Sequence, residues 1–207
     1  MKIEAIESTK STQGKLRLRF DNEETMLVLP SVIADLGLYV GIEISATALK
    51  SIQQTASEAS AKERAVRIVS ATPVTKRELF HRLVQKGESE EHAQMAVQWL
   101  EELHLLDDKG VAESIVRSGA ARGYGAARIR QMLYEKRVPK HLWDEALAKM
   151  PAQDDAIDAF LAKRFKGKTP DRAECKRATD ALIRRGHSWS EIKLALGRYA
   201  PDEEFED

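Results

Sequence analysis

One cysteine, Cys175, stands in 207 residues. A lone thiol closes no disulfide within the chain and founds no cysteine-rich zinc site, so a disulfide-stapled scaffold is excluded and a reducing compartment is expected. Aromatic residues supply only 6% of the chain, too few for a typical all-β sandwich and usual for a helical protein rich in Ala, Leu, Glu and Lys. No run approaches the ~18 apolar residues of a membrane span. Met1 to Lys10 carries Glu4 and Glu7 where a signal peptide needs an apolar centre. Charge of one sign is not in excess either. The 33 basic residues balance 33 acidic ones, which excludes a uniformly basic nucleic-acid binder. These absences lead us to expect a soluble cytoplasmic protein.

Catalytic constellations are missing as well. His81, His92, His104, His141 and His187 form no His-x-x-x-His pair enclosing a glutamate, and Cys175 has no base partner that the sequence supports. Asp107-Asp108 and Asp154-Asp155 are adjacent pairs, which point apart on a helix and read as first-turn charges favoured by the helix dipole. We expect no enzyme activity, no metal site and no cofactor.

What is present begins with segregated charge. Residues 1–110 carry a net charge of −3, residues 111–200 carry +8, and residues 201–207 carry −5. A basic block of ninety residues points to a surface that faces a polyanion.

Patterning divides the chain further. Lys15-Leu16-Arg17-Leu18-Arg19-Phe20 alternates strictly, Asp21 to Glu24 reads as a turn, and Thr25 to Leu29 reads as the return strand stopped by Pro30. Met1 to Glu7 is a weaker third strand. Ser31 to Leu36 reads as a short helix closed by Gly37, and Ser45 as the cap of a long helix. The polar, Ala/Ser-rich stretch around Gln53 to Lys62 is a connecting helix or hinge. Beyond it the pattern is helical and repeats. Leu83-Val84-Gln85-Lys86-Gly87, Leu133-Tyr134-Glu135-Lys136-Arg137 and Leu182-Ile183-Arg184-Arg185-Gly186 align at offsets of 50 and 49 residues. Downstream Ala96, Ala146 and Ala195 coincide, as do Val97, Leu147 and Leu196, then Leu100, Met150 and Tyr199. A fixed period with matched apolar positions marks a helical repeat array. Thr75 with Glu78 and Ser188 with Glu191 show capping-box spacing, and Pro139 takes that register in the second unit.

The expected fold is mostly α, with tandem three-helix repeats forming an elongated curved array and a small N-terminal β-strand region. Expected boundaries are a β-meander plus short helix over 1–50, a connecting helix or hinge over 51–62, repeats over 63–106, 107–150 and 151–200, and a disordered acidic tail over 201–207.

The second helix ending in Lys86-Gly87, the capped third helix, Leu105-Leu106-Asp107-Asp108, and Arg122-Gly123-Tyr124-Gly125-Ala126-Ala127-Arg128-Ile129 together resemble the RecX family. The likeness spans roughly Lys62 to Ala200. Arg137 stands where that family usually ends the helix with glycine, and Val111 where an aromatic is common. The resemblance implies a regulatory activity. RecX proteins bind RecA filaments on single-stranded DNA, along the filament groove, and damp ATPase, co-protease and strand-exchange functions. It therefore implies a RecA filament and single-stranded DNA as partners, with roles in recombination, DNA repair and the SOS response. We expect a monomer that does not associate with membranes.

Candidate contacts are the arginines and lysines of the basic block: Arg117, Arg122, Arg128, Arg130, Lys136, Arg137 and Lys140, then Arg164, Lys166, Lys168, Arg172, Lys176, Arg177, Arg184 and Arg185. Guanidinium groups suit bidentate contacts to phosphate or carboxylate. Tyr124 and Trp189 are candidate stacking residues, while Trp99 and Trp143 read as packing. Gly123-Tyr124-Gly125 precedes a helix, which suggests either a phosphate held at that N-terminus or a tight turn between helices. A second function remains open: a stand-alone nucleic-acid binder using helix-turn-helix-like pairs.

Overall fold

The computed structural model describes residues 1–9, 14–151 and 154–200. The acidic stretch Asp202 to Asp207, expected to be a disordered tail, lies outside the described residues. The chain divides into two compact units, Met1–Leu106 and Asp107–Asp207.

In the first unit, three strands form an antiparallel sheet in sequence order: β1 (Ile3–Ser8), β2 (Leu16–Phe20) and β3 (Thr25–Val28). The alternation read in the sequence sets its faces. Leu18 and Phe20 are buried with Ile3 and Val28, while Arg17 and Arg19 face outward. A three-stranded sheet is marginal alone. Here it covers α1 (Pro30–Asp35) and the first half of α2 (Ala46–Ala71) through Val32, Ile52 and Ala56. Pro30, read as a strand stop, also opens α1 at its first turn, where its missing N–H costs no helical bond. Ser45 caps α2 by accepting the Ala48 N–H.

Residues 51–62 lie inside α2, which runs unbroken for 26 residues. The segment is therefore helix, and the chain's division falls at Leu106/Asp107. The physical reason is that α2 belongs to two cores in succession. Ile52 and Ala56 serve the strands, and Ala61, Ala65 and Ile68 serve the helices that follow. Those helices are α3 (Lys76–Gln85) and α4 (Glu90–Glu102), capped by Thr75 and Ser89. Arg64 on α2 ties down the turn between them, donating to the Lys86 carbonyl and pairing with Glu88. Trp99 packs against this core under the Lys62 ammonium.

The second unit holds two further cores. One is formed by α5 (Asp108–Ala121), α6 (Ala126–Glu135), a 3-10 turn (Lys140–Leu142) and α7 (Trp143–Leu147). The other is formed by α8 (Asp154–Phe165), α9 (Arg172–Arg184) and α10 (Trp189–Leu196). Asp107 caps α5 and accepts the Gly110 N–H, the helix-start role expected of that acidic pair. Burial follows the repeat register. Leu83, Leu133 and Leu182 are fully buried, as are Leu79, Ile129 and Ala178. Ala96, Ala146 and Ala195 are likewise buried. Each second helix ends in a left-handed residue: Gly87 at φ +91°, Arg137 at +52° and Gly186 at +87°. The third helix of the middle repeat departs from the pattern. Pro139 starts a 3-10 turn and α7 has only five residues. Trp143 braces this shorter element by donating to the Val138 carbonyl at 3.0 Å.

Candidate nucleic-acid interface

Within the second unit, the middle and last repeats meet backbone to backbone. The Gly125 N–H donates to the Arg185 carbonyl at 2.9 Å, and the Ala127 N–H donates to the Gly186 carbonyl at 3.1 Å. His187 is 5% exposed, and its Nε2 lies 3.1 Å from the Gly123 carbonyl. Since a carbonyl only accepts, Nε2 carries the proton of that bond. Glycine is needed on both sides of this clasp. A Cβ on Gly125 would stand 2.2 Å from the Gly186 oxygen, and a Cβ on Gly186 would stand 2.3 Å from the Arg128 nitrogen.

This geometry decides between the two readings of Gly123-Tyr124-Gly125. The amides of Gly125 and Ala127 at the start of α6 already serve carbonyls of the last repeat. The segment is a turn that joins repeats and not a phosphate cradle. Sequence reasoning missed the clasp because its two sides lie about sixty residues apart in the chain. The available signal was the pair of glycines flanking helix ends.

The clasp gathers cations. Arg128 abuts Gly186 through its backbone and Cβ. Arg184 and Arg185 immediately precede Gly186, and Arg122 precedes Gly123. The Arg185 guanidinium sits over the Phe160 ring at 4.9 Å, with Nη1 directed to the Gly123 side. Arg128 pairs with Glu135 at 3.7 Å, which leaves the outer surface of α6 without an uncompensated acid. Arg128 and Arg185 therefore border this junction, and Arg122 and Arg184 stand close to it in the chain.

The others are placed around it. Arg130 is exposed on α6, and Lys136 and Arg137 close that helix. Lys140 stands on the 3-10 turn. Arg172, Lys176 and Arg177 are exposed on α9. Arg164 ends α8, and Lys166 and Lys168 follow it in the loop. Arg117 lines a cavity of about 370 Å³ with Glu113, Val116, Ala120, Ala121, Lys149 and Pro151. The expected stacking residues are less open than their sequence positions suggested. Tyr124 is half-buried against the middle repeat's core, and Trp189 is also half-buried. The exposed aromatic of this region is Tyr134, at 69%.

Away from the clasp, Lys109 on α5 and Glu145 on α7 pair at 2.6 Å. The hydrogen bond and then the charge of each partner raise the Lys109 pKa and lower that of Glu145. Among the described residues, no group of three or more His, Cys, Asp or Glu side chains is placed to hold a metal ion. No described helix is long and apolar enough to cross a membrane.

Comparison with known proteins gives a consistent result. The family model for the RecX second three-helix domain matches residues 107–147. The protein named Regulatory protein RecX in Vibrio parahaemolyticus is 37% identical over 140 residues, covering 66% of this chain and 90% of that one. Its namesake in Halorhodospira halophila is 32% identical over 156 residues, covering 72% and 93%. A crystal structure of regulatory protein RecX superposes with a TM-score of 0.66 at 24% identity, covering 94% of this chain and 98% of that one, a likeness of fold. The helical triplets, the register of their cores and these relatives agree, and the chain belongs to the RecX family of regulatory proteins.

Proposed function

We propose that this protein is a non-enzymatic regulator, mainly an inhibitor, of a RecA recombinase. It binds the RecA filament on single-stranded DNA through the basic surface of the middle and last repeats. Binding lowers ATP hydrolysis, co-protease activity and strand exchange, and so acts on recombination, DNA repair and the SOS response. It works as a monomer in the cytoplasm, with repeats bounded at 63–106, 107–150 and 151–200. The observation that carries this reading is that Arg128 and Arg185 border the Gly125–Gly186 junction, with the exposed Arg122 and Arg184 close to it in the chain. A filament that carries DNA phosphates and acidic protein surface attracts such a cluster, and arginine's planar fork fits both anions.

The test is a titration of single-stranded-DNA-dependent ATP hydrolysis by RecA. Wild-type protein inhibits at or below one molecule per recombinase subunit in moderate salt. A variant with Arg122, Arg130, Arg177 and Arg184 all changed to Glu needs at least tenfold more protein, with its helical circular dichroism unchanged. Absence of inhibition by the equimolar wild type refutes the proposal. Tight, sequence-selective duplex binding without RecA would favour the stand-alone helix-turn-helix reading.

A further inference from the structure

The outer face of α6 differs from those of its counterparts in the other repeats. Arg130 and Tyr134 are four residues apart and therefore lie one above the other. Both are exposed, Tyr134 at 69%. One turn before Arg130, Ala127 leaves the helix surface low and open beside them. The sole acid of α6, Glu135, is turned to other uses. It accepts from Gln131 at 3.0 Å and pairs with Arg128. Lys136 and Arg137 follow at the end of the helix. The phenol ring faces solvent one helical turn beyond Arg130. In the same register α3 puts the half-buried Val84, and α9 puts Ile183 at 50% exposure. Only the middle repeat presents a ring there.

We infer that Tyr134 is a stacking platform for an unpaired base, and that Arg130, one turn before it on the same face, holds the adjoining phosphate. This rests on the proposed function, because it specifies what the basic surface reads there: a single-stranded nucleic acid in direct contact. Charge alone would attract duplex and single strand alike. A ring on the open face adds an attraction that only an unstacked base can satisfy. Because every base has a π-face, the contact carries little sequence preference.

The test uses the full chain without RecA. Anisotropy of a labelled dT20 is compared with an abasic 20-mer and a 20-base-pair duplex. Tyr134→Ala weakens dT20 binding about tenfold and leaves duplex and abasic binding within twofold. Tyr134→Phe keeps dT20 affinity. Tyr134→Ala leaves the salt dependence unchanged, whereas Arg130→Gln reduces the slope of log affinity against log salt by about 0.7. Ultraviolet cross-linking of bromodeoxyuridine oligonucleotide maps to the peptide containing Tyr134. The inference is overturned if Tyr134→Ala binds dT20 like the wild type, or weakens single strand and duplex equally. It is also overturned if Tyr134→Ala loses ATPase inhibition at unchanged dT20 affinity, since the ring would then dock on protein. If the wild type inhibits RecA without binding dT20, this inference fails and the proposed function stands. If it does neither, both fail.

Discussion

Arg137 holds a left-handed backbone, φ +52°, at the position where the other two repeats use Gly87 and Gly186. A side chain there brings Cβ against the carbonyl oxygen, at a cost of about 1 kcal/mol relative to glycine. Arg137→Gly is expected to stabilise the protein by about that amount, measured as a higher midpoint in urea at unchanged slope. The strain was legible from the repeat alignment, because three aligned helix ends demand one conformation. His187 was not legible in the same way. In sequence it is a histidine with no metal partner. In the structure it is buried, donates to Gly123 sixty-four residues upstream, and leaves Nδ1 without a partner among the described residues. Only the meeting of two repeats gives it that role, and no local pattern reports such a meeting.

At the scale of elements, helix starts were the most readable feature because caps are local chemistry. Ser188 and Glu191 form a complete capping box at α10, as their spacing predicts. Thr75 accepts the Glu78 N–H, while the Glu78 carboxylate also receives Arg82 at 2.8 Å. Asp171 with Glu174 forms a box that went unread, although its spacing is the same. Ser188→Ala is expected to cost about 1 kcal/mol, read as a lower melting temperature and faster amide exchange in the first turn of α10. The pair joining α5 and α7 predicts a pH dependence. The lowered pKa of Glu145 makes its contribution present above the ordinary carboxylate value and lost as pH falls through the depressed one. The raised pKa of Lys109 keeps the pair intact below the ordinary lysine value and loses it as pH rises through the raised one. Both groups are exposed, so the effect is small. The melting difference between wild type and Glu145→Gln should be measurable at neutral pH and vanish in acid.

For the molecule as a whole, the sequence disclosed three helical cores and a strand region because their apolar positions recur at a fixed spacing. The way the middle and last triplets are fastened left no periodic trace. Gly186 combines φ +87° with a Cβ site 2.3 Å from the Arg128 nitrogen. Gly186→Ala is expected to cost about 2 to 4 kcal/mol in the second unit. Hydrogen exchange should show lost protection at the Gly125 and Ala127 amides, with the amides of α3 and α4 unaffected. Equal protection in wild type and variant would deny the clasp.

That fastening also limits how chain length can vary here. Each residue added to an α-helix turns everything beyond it by about 100°. One residue inserted within α9 would swing the Arg185 and Gly186 carbonyls away from the Gly125 and Ala127 amides. The same insertion in the exposed turn around Lys166 to Thr169 could be taken up before α9 begins. Length differences among relatives should therefore collect in that turn and be absent from the helix after it, like slack left in a rope ahead of a fixed knot.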